Sequence, residues 1–115
     1  MKKIIRICNK DFTMKSSAYT QFAYKDVTGR SLLHDIERFQ SIDISNAVEA
    51  MDDMSETLLQ MAYVMIEEAA DVNMPTNFID FLKQLEEGLF DDPEWIGKVI
   101  ELAASPLHTG NNKTN

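Results

Sequence analysis

The residues with the widest chemical repertoire in this chain are few. His34, Asp35 and Glu37 lie close together, and His34 with Glu37 would share one helix face at i, i+3. A metal site needs three or four converging ligands, and the other histidine, His108, falls near the C-terminus. The trio therefore reads as surface residues on an amphipathic helix. Asp52, Asp53 and Glu56 offer oxygens to a hard cation but lack the Asp-x-Asp-x-Asp-Gly loop that wraps calcium. Cys8 is the single cysteine and cannot form an internal disulfide. With no histidine near it in sequence, it reads as a small core residue of an apolar strand rather than a nucleophile. Gly29 and Gly88 stand alone, so no phosphate-cradling loop is expected. The serines and threonines lack a nucleophile elbow. No catalytic apparatus, metal site or cofactor is expected, and the chemistry left to consider is binding.

The best candidate for binding is a run of methionines. From Ser45 to Val72, the residues Val48, Met51, Met54, Leu58, Met61, Ala62, Met65 and Ala69 recur at three- and four-residue steps. Glu49, Asp52, Asp53, Glu56, Glu67 and Asp71 fall on the opposite arc. The pattern predicts one long amphipathic helix, capped by Asp43 or Ser45, with one candidate break at Met54-Ser55. Methionine is unbranched and polarizable, so a stripe of Met51, Met54, Leu58, Met61 and Met65 suits a groove that adapts to a partner. It equally suits an ordinary core.

A chain of 115 residues with 44% hydrophobic and 26% charged content predicts one soluble domain with a core of its own. No apolar run approaches the roughly 20 residues of a membrane span. The start, Met1 to Asp11, has too short an apolar stretch for a signal peptide. A cytoplasmic location is expected. The net charge of -8 is unevenly spread: residues 1–38 balance to +4 and residues 39–115 to -12. An acidic field of this size repels nucleic acid, whose binding rests on cations meeting phosphates. It serves either as a solvated face or as a surface for a basic partner.

The elements follow in order. Lys2 to Cys8 predicts a strand, Asn9-Lys10-Asp11 a turn, and Phe12 to Met14 the returning strand. Ser16 or Ser17 caps a helix on which Tyr19, Phe22, Ala23 and Val27 share a face, and Gly29 ends it. Ser31 restarts a short helix through Gln40 with Leu32, Leu33, Ile36 and Phe39 inward. After the long helix, Val72 to Pro75 stops the backbone, and Thr76 caps a helix carrying Phe78, Ile79, Phe81, Leu82 and Leu85. Asp92-Pro93-Glu94 starts the last helix, with Trp95, Ile96, Val99, Ile100, Leu102 and Ala103 as its buried stripe. Ser105-Pro106 ends it. The fold class is mainly α: a small helical domain over 1–107 with a short N-terminal β-hairpin, followed by a disordered tail over 108–115.

Several segments carry a family likeness. These are Lys15 to Phe22, Tyr24-Lys25, Thr28-Gly29-Arg30, Tyr63 to Ile66, Pro93 to Ile96 and Glu101 to Leu107. In that order and at this length they resemble the tail assembly chaperones of long-tailed phages and prophages of Gram-positive bacteria. The likeness covers most of the chain from Lys2 to Leu107 and fades over Gln40 to Thr57. The resemblance implies a non-enzymatic, acidic, cytoplasmic protein of the bacterial host that binds the tape measure protein. The chaperone keeps that client soluble while tail tube subunits polymerise round it. It further implies absence from the mature virion, contact with the major tail tube protein as an additional partner, and in many members a longer frameshifted product. It brings no catalytic residues, no nucleic acid and no membrane partner, and leaves self-association open. Two other readings stand beside it. An acidic mimic of DNA would need carboxylates spread over an extended outer surface. A structural tail component would be found in purified particles.

Overall fold

A computed structural model describes residues 1–41, 47–70, 75, 77–85, 88 and 94–107, with side chains of the long helix from Met54 onward. The architecture is mostly helical with an N-terminal two-stranded hairpin. Strand β1 (Lys2–Ile7) pairs antiparallel with β2 (Lys10–Lys15). The register runs from Ile7 opposite Lys10 to Lys2 opposite Lys15. The turn is Cys8-Asn9, tighter than the expected Asn9-Lys10-Asp11. Both residues take positive φ, 52° and 64°, which a two-residue hairpin requires for its twist to match the strands. Cys8 therefore lies half-buried in the turn rather than inside a strand.

Alternation along the strands sends Ile5, Ile7, Phe12 and Met14 to one buried face. That face rests on two helices: α3 (Ala47–Ala69) packs against β2 and α5 (Glu94–Ala104) against β1. A hairpin alone is marginal in water, and these two helices supply its missing layer. α1 (Ala18–Thr28) lies on α3, and α2 (Leu32–Gln40) bridges α1 and α5. The short α4 (Phe78–Lys83) closes the far side of α3, with Phe81 edge-on to Phe12 of the hairpin at 5.2 Å between ring centroids. A single 3₁₀ turn, Ser105–Leu107, follows α5.

α3 is continuous through Met54-Ser55, so the candidate break there does not occur. Its apolar surface is also wider than one stripe. Leu58, Met61, Ala62 and Met65 are buried, and so are Leu59, Tyr63, Val64 and Ile66 on other sides. So wide an apolar surface needs cover on most sides of the helix, while Glu56 and Glu67 keep their expected outward place. Here the hairpin, α1, α4 and α5 do the enclosing. On α5 the expected stripe is the observed one, with Trp95, Ile96, Val99, Leu102 and Ala103 buried and Ile100 half-buried.

Of the two serines expected to cap α1, Ser17 is the one that does. Two local expectations are corrected. Asn77 rather than Thr76 caps α4, its side chain accepting from the Asp80 amide at 2.8 Å. Leu33 faces outward from α2, and Asp35 takes an inward place beside Leu32, Ile36 and Phe39. The expected caps at Asp43, Ser45 and Asp92-Pro93, the stop at Val72 to Met74, and the tail after Leu107 lie outside the described residues.

Candidate functional site

The sequence places Tyr19, Phe22, Ala23 and Val27 on one face, and an apolar face normally turns inward. In the structure α1 buries Thr20 and Tyr24 instead, leaving Tyr19 62% and Phe22 66% exposed, with Val27 also exposed. Two polar clusters fix this rotation, one at each end of the helix.

At the N-terminal end, Ser17 and Thr20 form a reciprocal capping box. The Ser17 hydroxyl accepts from the Tyr19 amide at 3.1 Å, and the Thr20 hydroxyl accepts from the Ser17 amide at 2.8 Å. Each hydroxyl then donates to a different carboxylate oxygen of Glu68, both at 2.5 Å. Glu68 sits on α3, so the cap of one helix is bolted to the body of another. Bonds to an ionised acceptor are stronger than neutral ones, which favours this over a purely local cap.

At the C-terminal end, Gly29 leaves α1 in a left-handed conformation (φ 75°) and donates back to the Lys25 carbonyl at 2.7 Å. That turn directs Arg30 across the Tyr24 ring, 5.8 Å from its centroid. The guanidinium donates to Asp35 at 3.0 Å and to Gln60 at 2.6 Å. The Tyr24 hydroxyl donates to the same Asp35 oxygen at 2.6 Å, and Arg38 reaches the other oxygen at 3.3 Å. Asp35 is 3% exposed, so three donors from α1, α2 and the turn between them hold a buried carboxylate. Burial by itself would raise the Asp35 pKa. The bonds from Tyr24 and Arg30 and the nearby arginine charges outweigh it and hold the carboxyl below its ordinary value. Burial first, and the Asp35 carboxylate second, push the Tyr24 hydroxyl far above the ordinary tyrosine range. Neither group is poised for proton transfer near neutrality; the cluster is a fastener.

The result is a helix whose polar side chains anchor it and whose aromatic pair faces water. Tyr19 and Phe22 stand at i, i+3, adjacent on the surface, with exposed Lys25 and Asp26 beside them. This pair is the candidate interaction surface. The expected one does not form: Met54, Leu58, Met61 and Met65 are buried in the core and present no groove. They are covered because the hairpin and α5 lie over them, which spacing along one helix cannot reveal. The side chain of Met51 lies outside the described residues.

His34 and Glu37 are exposed, as expected of a solvated helix face. Asp35 is not, and its role went unread. The signal was its position, three residues after Leu32 and four before Phe39, which puts a carboxylate on the apolar arc of α2. Among the described residues, no group of three or more His, Cys, Asp or Glu lies close enough to hold a metal ion. Among them, too, no helix is long and apolar enough to cross a membrane.

No protein-family model, curated protein or solved structure matches the chain.

Proposed function

We propose that this protein is a non-enzymatic tail assembly chaperone. It binds the tape measure protein of a long-tailed phage or prophage in the host cytoplasm, keeps it soluble during tube assembly, and stays out of the finished virion. The observation that carries the reading is the exposed pair Tyr19 and Phe22. It lies within the Lys15 to Phe22 segment that resembles the chaperone family. The same resembling segments contribute Ser17, Thr20, Tyr24 and Arg30, the side chains that hold the pair outward. A motif made of anchors and two exposed aromatics is intelligible as a docking device and wasteful as a mere core element.

The energetics fit a chaperone. Covering both rings removes on the order of 200 Å² of apolar surface, a gross gain of roughly 5 kcal/mol. Loss of translational and rotational freedom on association costs an estimated 4–15 kcal/mol or more, so a single contact is weak. A very long helical client offers many apolar stripes, and many copies along it hold by repetition while each one leaves readily.

Co-expression tests the reading. The tape measure protein made alone is expected in the pellet, and made with this chain in the soluble fraction. An insoluble client in both cases, or this chain among the proteins of purified particles, rejects it.

A further inference from the structure

The hairpin carries a feature that neither the core nor the α1 surface uses. Met1 and Ser16 exchange two backbone bonds, each 2.7 Å, so they form a hydrogen-bonded pair at the open end of the ladder. Bonded and non-bonded pairs alternate in an antiparallel ladder. Counting inward along the register, the bonded pairs are Lys3 with Met14, Ile5 with Phe12 and Ile7 with Lys10. The peptide groups of Lys2, Ile4 and Arg6 therefore point away from β2. The sheet has two strands, and among the described residues nothing pairs with that edge of β1.

The side chains of Lys2, Ile4 and Arg6 are all exposed, and Ile4 is 69% exposed in spite of being apolar. Lys2 stands directly opposite Lys15 in the register. Neither lysine has an acidic partner among the described residues, whereas Arg6 pairs only loosely with Asp11, at 3.6 Å. Like charges placed opposite each other destabilise a hairpin, and an incoming acid relieves them. A shallow hollow lined by Lys2, Lys3, Ile4 and Thr13 lies over this end of the sheet.

We infer that the open edge of β1 is a strand-addition site for an extended acidic segment of a partner protein. The segment carries an apolar residue set against Ile4, with a carboxylate two positions to either side set against Lys2 and Arg6. The backbone supplies affinity and the alternating side chains supply selectivity. A second copy of this chain fits poorly. Two-fold pairing of β1 with β1 about Ile4 would set Lys2 against Arg6 of the other copy on both flanks. The positive balance of residues 1–38 within a protein of net charge -8 draws an acidic segment to this end of the molecule. The inference is independent of the chaperone reading.

Amide hydrogen exchange of the full chain, followed by NMR, tests it. The probe is an acetylated, amidated heptapeptide of sequence Thr-Glu-Thr-Val-Thr-Glu-Thr. In the free protein the amides of Lys3, Ile5 and Ile7 should be protected and those of Lys2, Ile4 and Arg6 should exchange freely. Saturating peptide should slow the latter three by about tenfold or more. The same peptide with lysine for glutamate should not. Ile4→Pro removes the central edge donor without touching the inner ladder, and should abolish binding. A Lys2→Glu, Arg6→Glu variant, checked for fold by circular dichroism, should abolish it as well. Edge amides already protected in the free protein overturn the proposal. So do unchanged exchange at millimolar peptide, equal binding of the lysine peptide, and shifts confined to α1. Unchanged exchange, or shifts confined to α1, would mean that Lys2 and Arg6 serve only to keep the edge unpaired.

Discussion

The Tyr24 hydroxyl donates to Asp35 Oδ2 at 2.6 Å across a separation of eleven residues, joining the last turns of α1 to the first turn of α2. The carboxylate that receives it is buried, and Arg30 and Arg38 complete its shell. Through this bond the side chain that gives α1 its orientation is tied to the one acid on the apolar arc of α2.

The bond makes stability depend on acid pH. The folded-state pKa of Asp35 lies below its ordinary value of about 3.8, so its contribution is complete above that value and is lost as pH falls through the folded pKa. Replacing Asp35 with Asn should cost roughly 2–4 kcal/mol at neutral pH, the lower part of the range for breaking a buried pair because both arginines are partly exposed. The wild-type minus variant difference, from urea unfolding, should shrink below about pH 4. A difference independent of pH would show that Asp35 acts by shape and not by charge.

The serines before α1 should behave oppositely. Ser17→Ala removes the cap and a bond to Glu68 and should cost about 1–2 kcal/mol. The Ser16 hydroxyl is buried with no hydrogen-bond partner among the described residues, so Ser16→Ala should be neutral or stabilise by up to about 1 kcal/mol. Thermal melts of the two single variants separate these outcomes. Equal losses would contradict the assignment of Ser17 as the cap.

The order and type of the elements were legible because periodicity and punctuation agree with burial over most of the chain. The stripe from Trp95 to Ala103 reads correctly as core, and the Ile-rich start reads correctly as a strand as far as Ile7. The facing of α1 was not legible. Hydropathy turns Tyr19 and Phe22 inward, while the true inward residues, Thr20 and Tyr24, are chosen by partners 48 and 11 residues away. Periodicity registers apolar area but carries no information about which hydroxyl will meet which carboxylate. The same limit made the methionine stripe ambiguous between groove and core, since only the hairpin and α5 decide it.

The core assignment has a direct check on α5. Trp95 is almost completely buried, and Trp95→Ala should cost roughly 3–5 kcal/mol, the range for emptying a large aromatic site. An unchanged melting temperature would mean α5 has been faced the wrong way.

A second check concerns the methionines. Met61 is fully buried, so Met61→Asp places an unpaired charge in the core and should unfold the isolated protein, seen as loss of the cooperative transition by circular dichroism. A folded Met61→Asp protein would return the stripe to the surface and reopen it as a contact site.

The most direct test of the account is the soluble fraction of the tape measure protein co-expressed with a Tyr19→Ser, Phe22→Ser double variant. Both side chains are mostly exposed, so the variant should melt within about 0.5 kcal/mol of wild type, as surface changes do. This folded variant should leave the client in the pellet, while the wild-type chain keeps it in solution. A folded variant that rescues the client as well as wild type would contradict the account, and α1 would not be the surface through which the protein acts.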